Sequence, residues 1–337
     1  MQPQPHHPTD CRFGVILNAN AGRVTRALAR RVRRTVGADR VFVTTSHEHA
    51  TEALQTCIAR GYKTVFAGGG DGTIVDTINS LEKLRADTTE ALPAVGVLRL
   101  GTGNALAHWL GAGWPVRDLR RFHSGALHSR MQIRMVESEG TLFPFGGLGH
   151  DGAVLNDYYE LKKKYEGTPL AGLMSGLTGY FIAGLGVTVP RFLRRDNTDI
   201  RVVNLGGEAW RIGPGGDRIG APVGYGETLY EGPASTVGAA TTPLLGYGFR
   251  FFPFAARLPD RLHLRVLDFS PLRCVKEIPA AWNGTMQGEG VHDFYAERVR
   301  VQFAQSMPYQ MGGDPKGYRD EVSFGLSEHP VTLVGQA

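Results

Sequence analysis

The stretch from Phe66 to Leu81, FAGGGDGTIVDTINSL, constrains this chain more than any other. Thr64-Val65-Phe66-Ala67 is short, β-branched and aromatic, while Ile74, Val75, Ile78 and Leu81 recur at the spacing of one helical face. The segment therefore reads strand, glycine turn, helix. Glycines at such a junction let the backbone come close to a ligand, and the free N–H groups at a helix start favour an anion, most often a phosphate.

The surrounding pattern repeats the arrangement. RFGVILNANAG, from Arg12 to Gly22, is an apolar strand ending in an Asn-rich turn, and Val24, Leu28, Val32 and Val36 then mark a helix. RVFVTT is a second strand, followed by a helix that starts at His49 or Ala50, runs to Ala59 and is stopped by Gly61. Another strand, AVGVLRL, ends in GTGNALAHWLG, Gly101 to Gly111, a second glycine turn entering a second helix. Such βα alternation predicts a mostly parallel sheet covered by helices, with ligands at the carboxyl ends of the strands. Two glycine turns from separate strands can face one ligand.

Past about Met131 the texture changes. MQIRMVES, IRVVNLGG, LHLRVLDF and RVRVQFAQ are short alternating strands between Gly- and Pro-rich turns, so this half reads as mainly antiparallel β. Between Asn156 and Leu185 two helical stretches are expected, the apolar one from Leu170 to Leu185 as core or as a lid over an apolar pocket. Residues 1–10 read as a disordered tail. A chain of 337 residues accommodates the two lobes this pattern requires.

The net charge of +5 is mild and does not by itself argue for nucleic acid. Its distribution is more informative: Arg12, Arg23, Arg26, Arg30, Arg31, Arg33 and Arg34 fall between Cys11 and Ala38 with no acidic residue among them. That patch suits anionic lipid or phosphate, or is a solvated helix face. Cys11, Cys57 and Cys274 are too few and too scattered for a disulfide framework or a zinc site, as in a reducing compartment. The first ten residues lack an apolar signal core and no run approaches the length needed to span a bilayer. A cytoplasmic protein with peripheral membrane attachment is expected.

GGGDGT (Gly68 to Thr73), followed some thirty residues later by GTGNALA (Gly101 to Ala107), resembles the catalytic domain of the diacylglycerol kinase and sphingosine kinase family of lipid kinases. The resemblance extends along most of the chain. NANAG (Asn18 to Gly22) stands where that family has Asn-Pro-x-Ser-Gly, without the proline; Thr44 and EHA (Glu48 to Ala50) match a Thr-containing strand end and the helix start after it. GLGHDGAV (Gly147 to Val154) is similar to the family's Gly-Phe-Asp segment, and LPDRLHL (Leu258 to Leu264) to its Asp-Gly-Leu-Leu turn, with Arg261 replacing the glycine. Where family members carry Asp-Gly-Glu, this chain has Gly312-Gly313-Asp314, so the first carboxylate is missing and the second is one methylene shorter.

The resemblance implies an α/β nucleotide-binding domain with a Rossmann-like parallel sheet of NAD kinase and diacylglycerol kinase type over residues 11–135, completed by 318–337. It also implies a mainly antiparallel β-sandwich lipid-substrate domain over 136–317. Gly68, Gly69, Gly70, Gly72 and Thr73 would hold the ATP phosphates, Gly101, Thr102, Gly103 and Asn104 would complete the cradle, and Asn18 and Thr44 would lie near the nucleoside or phosphates. Asp71 is the sharpest single residue, because a carboxylate beside phosphates repels them unless it binds magnesium or accepts a proton; its plainer reading is a helix N-cap. Asp314 is the rival base or an ordinary turn residue. Asp151 is assigned to the lipid headgroup and Asp260 to magnesium, and either suits a turn equally. His108 and Trp109 read as core, and no histidine has zinc-ligand spacing.

The expected activity is that of an ATP- and magnesium-dependent lipid kinase acting on diacylglycerol or a related lipid at a membrane surface. The alternatives are a sphingoid-base or ceramide kinase, a kinase of a soluble acceptor such as NAD, and a non-catalytic lipid- or nucleotide-binding relative. Expected partners are ATP, the lipid substrate and an anionic membrane, with no nucleic acid; a homodimer is left open.

Overall fold

The computed structural model describes residues 4–6, 12–126, 128–168, 170, 176–188, 190 and 197–336. The chain forms two compact units: Met1–Arg134 with Gly246–Gly248 and His329–Ala337, and Met135–Leu245 with Phe249–Glu328.

Numbered along the chain, the strands of the first unit are β1 (Gln4–His6), β2 (Phe13–Asn18), β3 (Val41–Thr44), β4 (Thr64–Gly69), β5 (Ala94–Arg99), β6 (His128–Ile133) and β19 (Val331–Gln336). They lie in the order β1-β6-β19-β5-β4-β2-β3. From β19 to β3 the neighbours run parallel, while β6 runs against β19 and β1 against β6. Asn18 lies opposite Thr44, Leu17 opposite Gly68, and Gly69 opposite Arg99, so the carboxyl ends of β2 to β5 are level. Of the segment expected to be a disordered tail, Gln4–His6 is described, and it pairs with His128–Arg130. The reason is the open edge of β6, whose unpaired N–H and C=O groups accept any extended segment, and Pro5 is tolerated because the strand is an edge.

The helices of this unit are α1 (Arg26–Val36), α2 (His47–Ala59), α3 (Asp71–Leu84), α4 (Ala105–Trp109) and α5 (Pro115–His123). The α1 helix starts where Thr25 Oγ1 accepts from Leu28 N at 3.1 Å and stops at Gly37, whose φ of 97° suits only glycine. Alternation along β2 separates the two faces of the sheet. Phe13, Val15 and Leu17 pack with Val32 and Val36 of α1 and with Val116, Leu119 and Phe122 of α5. Edge-to-face contacts of 5.7, 5.3 and 4.9 Å tie Phe13, Phe66 and Phe122 together. Gly14 faces the other way, where a Cβ would lie 2.6 Å from Cys57 Sγ of α2. Burial pushes the Cys57 thiol up to about 12, so it packs as a small hydrophobe.

In the second unit, β7 (Val136–Ser138), β8 (Thr141–Phe143), β9 (Phe145–Gly149), β10 (Thr198–Asn204), β11 (Ala209–Ile212), β12 (Arg218–Val223), β13 (Thr228–Ala234), β14 (Thr236–Ala240), β15 (Leu262–Leu267), β16 (Val291–Ala296), β17 (Arg298–Met311) and β18 (Asp314–Leu326) form one antiparallel sheet. The long β17 joins it: Val299–Phe303 pairs with β10 and Tyr309–Met311 with β9, with register shifts against β18 between the two. Because β18 extends to Leu326 as the partner of β17, the return to the first unit begins at His329 rather than at residue 318. Of the expected lid, residues 171–175 lie outside the described residues; Gly176–Ala183 is a helix, and the turn after it is pinned by Thr188 Oγ1 donating to Asp157 Oδ2 at 2.6 Å.

One buried ionic cluster sits in this sheet. Arg265, fully buried, lies directly opposite Asp293 and donates to it from Nε at 2.7 Å and from Nη2 at 2.8 Å, and His263 Nε2 is 2.9 Å from Asp293 Oδ1. Burial alone pushes the Asp293 carboxyl up, but His263 and Arg265 together hold it well below the usual carboxylate range. Burial likewise pushes His263 below its ordinary value despite the adjacent carboxylate. Both groups bind protons less readily folded than unfolded, so both contribute stability at neutral pH that is lost on acidification. The second unit should lose stability as pH falls below about 6.5, first through His263 and then through Asp293. Arg265→Met, which strands a buried carboxylate, should cost about 3–5 kcal/mol in chemical unfolding, and adding Asp293→Leu should recover part of it. An unfolding midpoint unmoved by Arg265→Met would show that the pair holds nothing together.

Candidate functional site

Strand order places the first glycine turn. From β2 the chain passes through α1 to β3 on one side, then crosses to β4 on the other, so the turns after β2 and β4 leave the sheet towards opposite faces. Such a switch point opens a crevice at the carboxyl ends. A cleft of about 380 Å³ occupies it, lined by Asn18, Asn20, Ala21, Gly22 and Arg23 after β2, by Gly70, Gly72, Thr73 and Asp76 after β4, and by Leu100, Gly101 and Thr102 after β5.

The turn after β4 is tighter than the sequence implied. Gly68 and Gly69 belong to the strand and are buried, and α3 begins at Asp71, leaving Gly70 as the junction. Gly68 is bare because a Cβ would lie 2.5 Å from Leu17 Cδ2, and Gly69 because a Cβ would lie 2.2 Å from Thr73 Oγ1. At both positions packing excludes a side chain. Gly70 caps α3 without a side-chain bond, so the first-turn N–H groups keep their capacity for an anion.

The second turn abuts the first. A Cβ on Gly101 would lie 2.3 Å from Gly70 Cα, so the two backbones touch. Asn104 fixes this turn: its Oδ1 accepts from Gly101 N at 2.9 Å, its Nδ2 donates to Gly101 O at 2.7 Å, and its backbone is left-handed with φ 52°. Asparagine is among the few non-glycine residues that adopt this conformation readily. Gly103 stands against the Asp71 carboxylate, where a Cβ would be 2.9 Å from Oδ2. Gly246–Gly248 also packs on Gly103, with Tyr247 N–H donating to Gly103 O at 2.7 Å.

Asn18 and Thr44 complete the frame. Asn18 Nδ2 donates to Thr73 Oγ1 at 3.0 Å and its Oδ1 accepts from Asn20 N at 3.0 Å, so this side chain ties the turn after β2 to the start of α3. Thr44 is buried and its carbonyl accepts from Ala19 N at 2.8 Å, which places it behind the cleft. Of the residues expected to hold a nucleotide, Asn18, Gly70, Gly72, Thr73, Gly101 and Thr102 line the cleft, while Thr44, Gly68, Gly69, Gly103 and Asn104 do not. His108 belongs to neither group: its Nε2 is 3.1 Å from Arg99 Nη2, and burial, then the Arg99 charge, hold it below its ordinary value.

Sequence reading missed Asn20, Arg23 and Asp76 as lining residues and Gly246–Gly248 as a support. The first three lie inside or just after the recognised turns and were open to inspection. The last, in LLGYGF, carries no local signal, because its role depends on a contact far along the chain.

The remaining carboxylates belong to the second unit. Asp151 falls in the first turn of the helix His150–Lys164, and its side chain lies outside the described residues. Asp260 is exposed and bonded to Arg261 Nη1 at 2.8 Å. Asp314 opens β18 opposite Met311, across a two-residue turn in which Gly312 and Gly313 have φ of 59° and 90°. Tyr159 Oη is 3.4 Å from Asp314 Oδ1. Among the described residues no group of three or more His, Cys, Asp or Glu is arranged to hold a metal ion, and no helix is long and apolar enough to cross a membrane.

Comparison with known proteins bears on the same region. Residues 12–136 match the family model of the diacylglycerol kinase catalytic domain. The chain is 29% identical to Diacylglycerol kinase 2 of Arabidopsis thaliana over 181 residues, 47% of this chain and 25% of that protein. It is 32% identical over 143 residues to the protein named Probable lipid kinase YegS-like of Pseudomonas aeruginosa, 42% of this chain and 44% of that one. The chain thus spans less than half the length of either curated relative. A diacylglycerol kinase structure from Bacillus anthracis shares the fold with a TM-score of 0.63 at 13% identity, over 96% of this chain and 97% of that one.

The abutting turns give a direct test. Gly101→Ala drives a methyl group into the Gly70 backbone and should weaken binding of a fluorescent nucleotide at least about tenfold, since a displacement near 1 Å misplaces every donor. Gly186→Ala, in the second unit, where nothing lies within 4 Å of the added carbon, should bind within about twofold of the parent. Equal binding by all three proteins would remove the two-turn contact from the account.

Proposed function

We propose that this protein, whose residues 12–136 match the family model of the diacylglycerol kinase catalytic domain, is an ATP- and magnesium-dependent lipid kinase that phosphorylates a hydroxyl of diacylglycerol or a related lipid. The observation that carries the reading is the cleft at the two touching glycine turns, open to the first-turn N–H groups of α3. Phosphoryl transfer asks little covalent work of a protein; it needs phosphates held in line and charge neutralised in a fixed, partly dry setting.

Each group has a task in this reading. The backbone N–H groups of Gly70, Gly72 and Thr73 hold phosphate oxygens, with the positive end of α3 behind them. Gly101 and Thr102 close the opposite wall, and Arg23 adds a cation at the cleft from the turn after β2. Asn18 keeps Thr73 in place rather than contacting the ligand alone. Asp71 stands at the helix start, where its carboxylate is tolerated beside phosphates only while it holds a cation or takes up the acceptor's proton.

The donor set suits magnesium. Mg2+ is normally bound by one or two carboxylates together with substrate phosphates and water, not by an all-protein cage, and Asp71 beside the anion-binding turn offers that arrangement. When bound, the ion neutralises charge on the transferring phosphoryl group. The Asp260 carboxylate is paired with Arg261, and its assignment to magnesium rests on the family pattern alone. Asp151 is retained as a headgroup residue from the family pattern alone.

A second reading has its own observation. Gly312 stands in the hairpin turn where family members carry the first carboxylate of Asp-Gly-Glu, leaving Asp314 as the remaining acid. A protein without that carboxylate that binds ATP and transfers nothing is the non-catalytic relative. Sphingoid bases and ceramide remain alternative acceptors, as they present the same primary hydroxyl chemistry on a lipid.

The test is transfer of labelled γ-phosphate from ATP to a panel of diacylglycerol, monoacylglycerol, sphingosine, ceramide and NAD. Asp71→Asn should cut transfer to the accepted lipid by about a hundredfold or more while ATP still binds. A comparable loss in Asp314→Asn would assign it the proton-accepting role. Activity at parent level in Asp71→Asn contradicts the placement of the essential carboxylate, and ATP binding without any labelled product favours the non-catalytic relative.

A further inference from the structure

The helical layer on one face of the first sheet has an uncommon charge. α1 and α5 share one hydrophobic core, with Val32 and Val36 of the first and Val116, Leu119 and Phe122 of the second turned inwards. Their outward residues are nearly all arginine. Arg30 and Arg34 lie one turn apart opposite the buried stripe of α1, and Arg117 and Arg121 do the same on α5; all four are exposed. α1 contains no acidic residue, and the single carboxylate of α5, Asp118, is buried, accepts from Gly113 N at 2.6 Å and lies 3.8 Å from Arg117 Nε, so it offsets one arginine of the layer. The helices on the other face carry the acid instead, with Glu48 and Glu52 exposed on α2 and Asp76 on α3. The domain is therefore polarised across its sheet.

A second feature of this layer is apolar. Trp114, the residue before α5, is 77% exposed, the largest value among the exposed large hydrophobic side chains. A tryptophan held in water beside a field of arginines combines the two elements of an interfacial anchor: an amphipathic ring for the headgroup boundary and cations for anionic lipid. Core packing, the ordinary use of tryptophan, does not account for it.

We propose that the outer layer formed by α1 and α5, with Trp114 at its rim, is the surface by which this protein docks on an anionic lipid bilayer. The choice of lipid over other polyanions rests on the kinase reading, because the acceptor of that reaction resides in a bilayer; the charge and the exposed ring are independent of it. Several arginines acting together through the surface potential give attachment that is reversible and weakened by salt.

Sedimentation with sucrose-loaded vesicles tests the proposal, using phosphatidylcholine alone and phosphatidylcholine with phosphatidylglycerol. The parent protein should pellet with the anionic vesicles only, less at high salt. Replacing Arg30, Arg34, Arg117 and Arg121 together by Gln should lower partitioning at least about tenfold. Trp114→Ala should lower it severalfold while leaving its salt dependence in place. Gln has nearly the helix propensity of Arg, and circular dichroism verifies that the variant is folded. Unchanged vesicle binding by the fourfold variant overturns the proposal. So does a parent protein that ignores vesicles and binds a single-stranded oligonucleotide through the same arginines.

Transfer to diacylglycerol in detergent micelles, measured beside it, separates the two claims. Vesicle binding lost in the fourfold variant, with no phosphorylated lipid from any protein, would leave the docking surface standing and remove the kinase. Parent-level micellar activity in a fourfold variant that still binds vesicles would do the reverse.

Discussion

The contact between Gly70 and Gly101 is the constraint on which the first unit depends. Two strands can each end in a glycine turn without forming a site; here a Cβ at Gly101 would fall 2.3 Å from Gly70 Cα, so the turns form a single wall. Level strand ends in β2, β4 and β5 supply the alignment, and Asn104 locks the second turn in a left-handed conformation with two bonds to Gly101. Gly246–Gly248 packs on Gly103, where Tyr247 N–H donates to Gly103 O. The α3 helix contributes its start to this wall and its length to the core, so that the groups able to bind an anion are held by packed structure rather than by a loose loop.

Charge is distributed with comparable economy. The sheet of the second unit keeps one buried cluster, in which Arg265 and Asp293 face each other across β15 and β16 with His263 beside them. Such a cluster fixes strand register, because a shift by one residue would leave a buried charge unpaired. In the first unit the opposite logic holds. Arginines gather on the solvent side of α1 and α5, acids on the other face, and nothing in the fold requires that asymmetry. Its explanation lies in what the domain meets.

Much of the first unit was legible because its signals are local. A glycine turn between a strand pattern and a helix pattern identifies itself, and the register that levels the strand ends follows from parallel pairing. Glycine required by a neighbouring Thr73 or Leu17, as at Gly68 and Gly69, looks the same in sequence as glycine required by a phosphate. The role of Gly246–Gly248 was hidden for a different reason: it is set by a partner more than a hundred residues earlier in the chain. In the second unit the strands were readable, but not that β17 and β18 form a long hairpin through Gly312-Gly313 that delays the return of the chain to His329. His263, Arg265 and Asp293 sit in alternating strands where polar residues would normally face water, so pairing across strands, invisible in one strand, decides their burial. The family match ends at residue 136.

The central claim is that the cleft recognises phosphate through backbone N–H groups and the start of α3. Calorimetric titration of the intact protein with ATP and, separately, with adenosine addresses it most directly. A site of this construction binds ATP at least about tenfold more tightly than adenosine, with the difference shrinking as salt is raised. Equal affinity for the two, or binding of neither, would contradict the assignment of the touching glycine turns as a phosphate cradle.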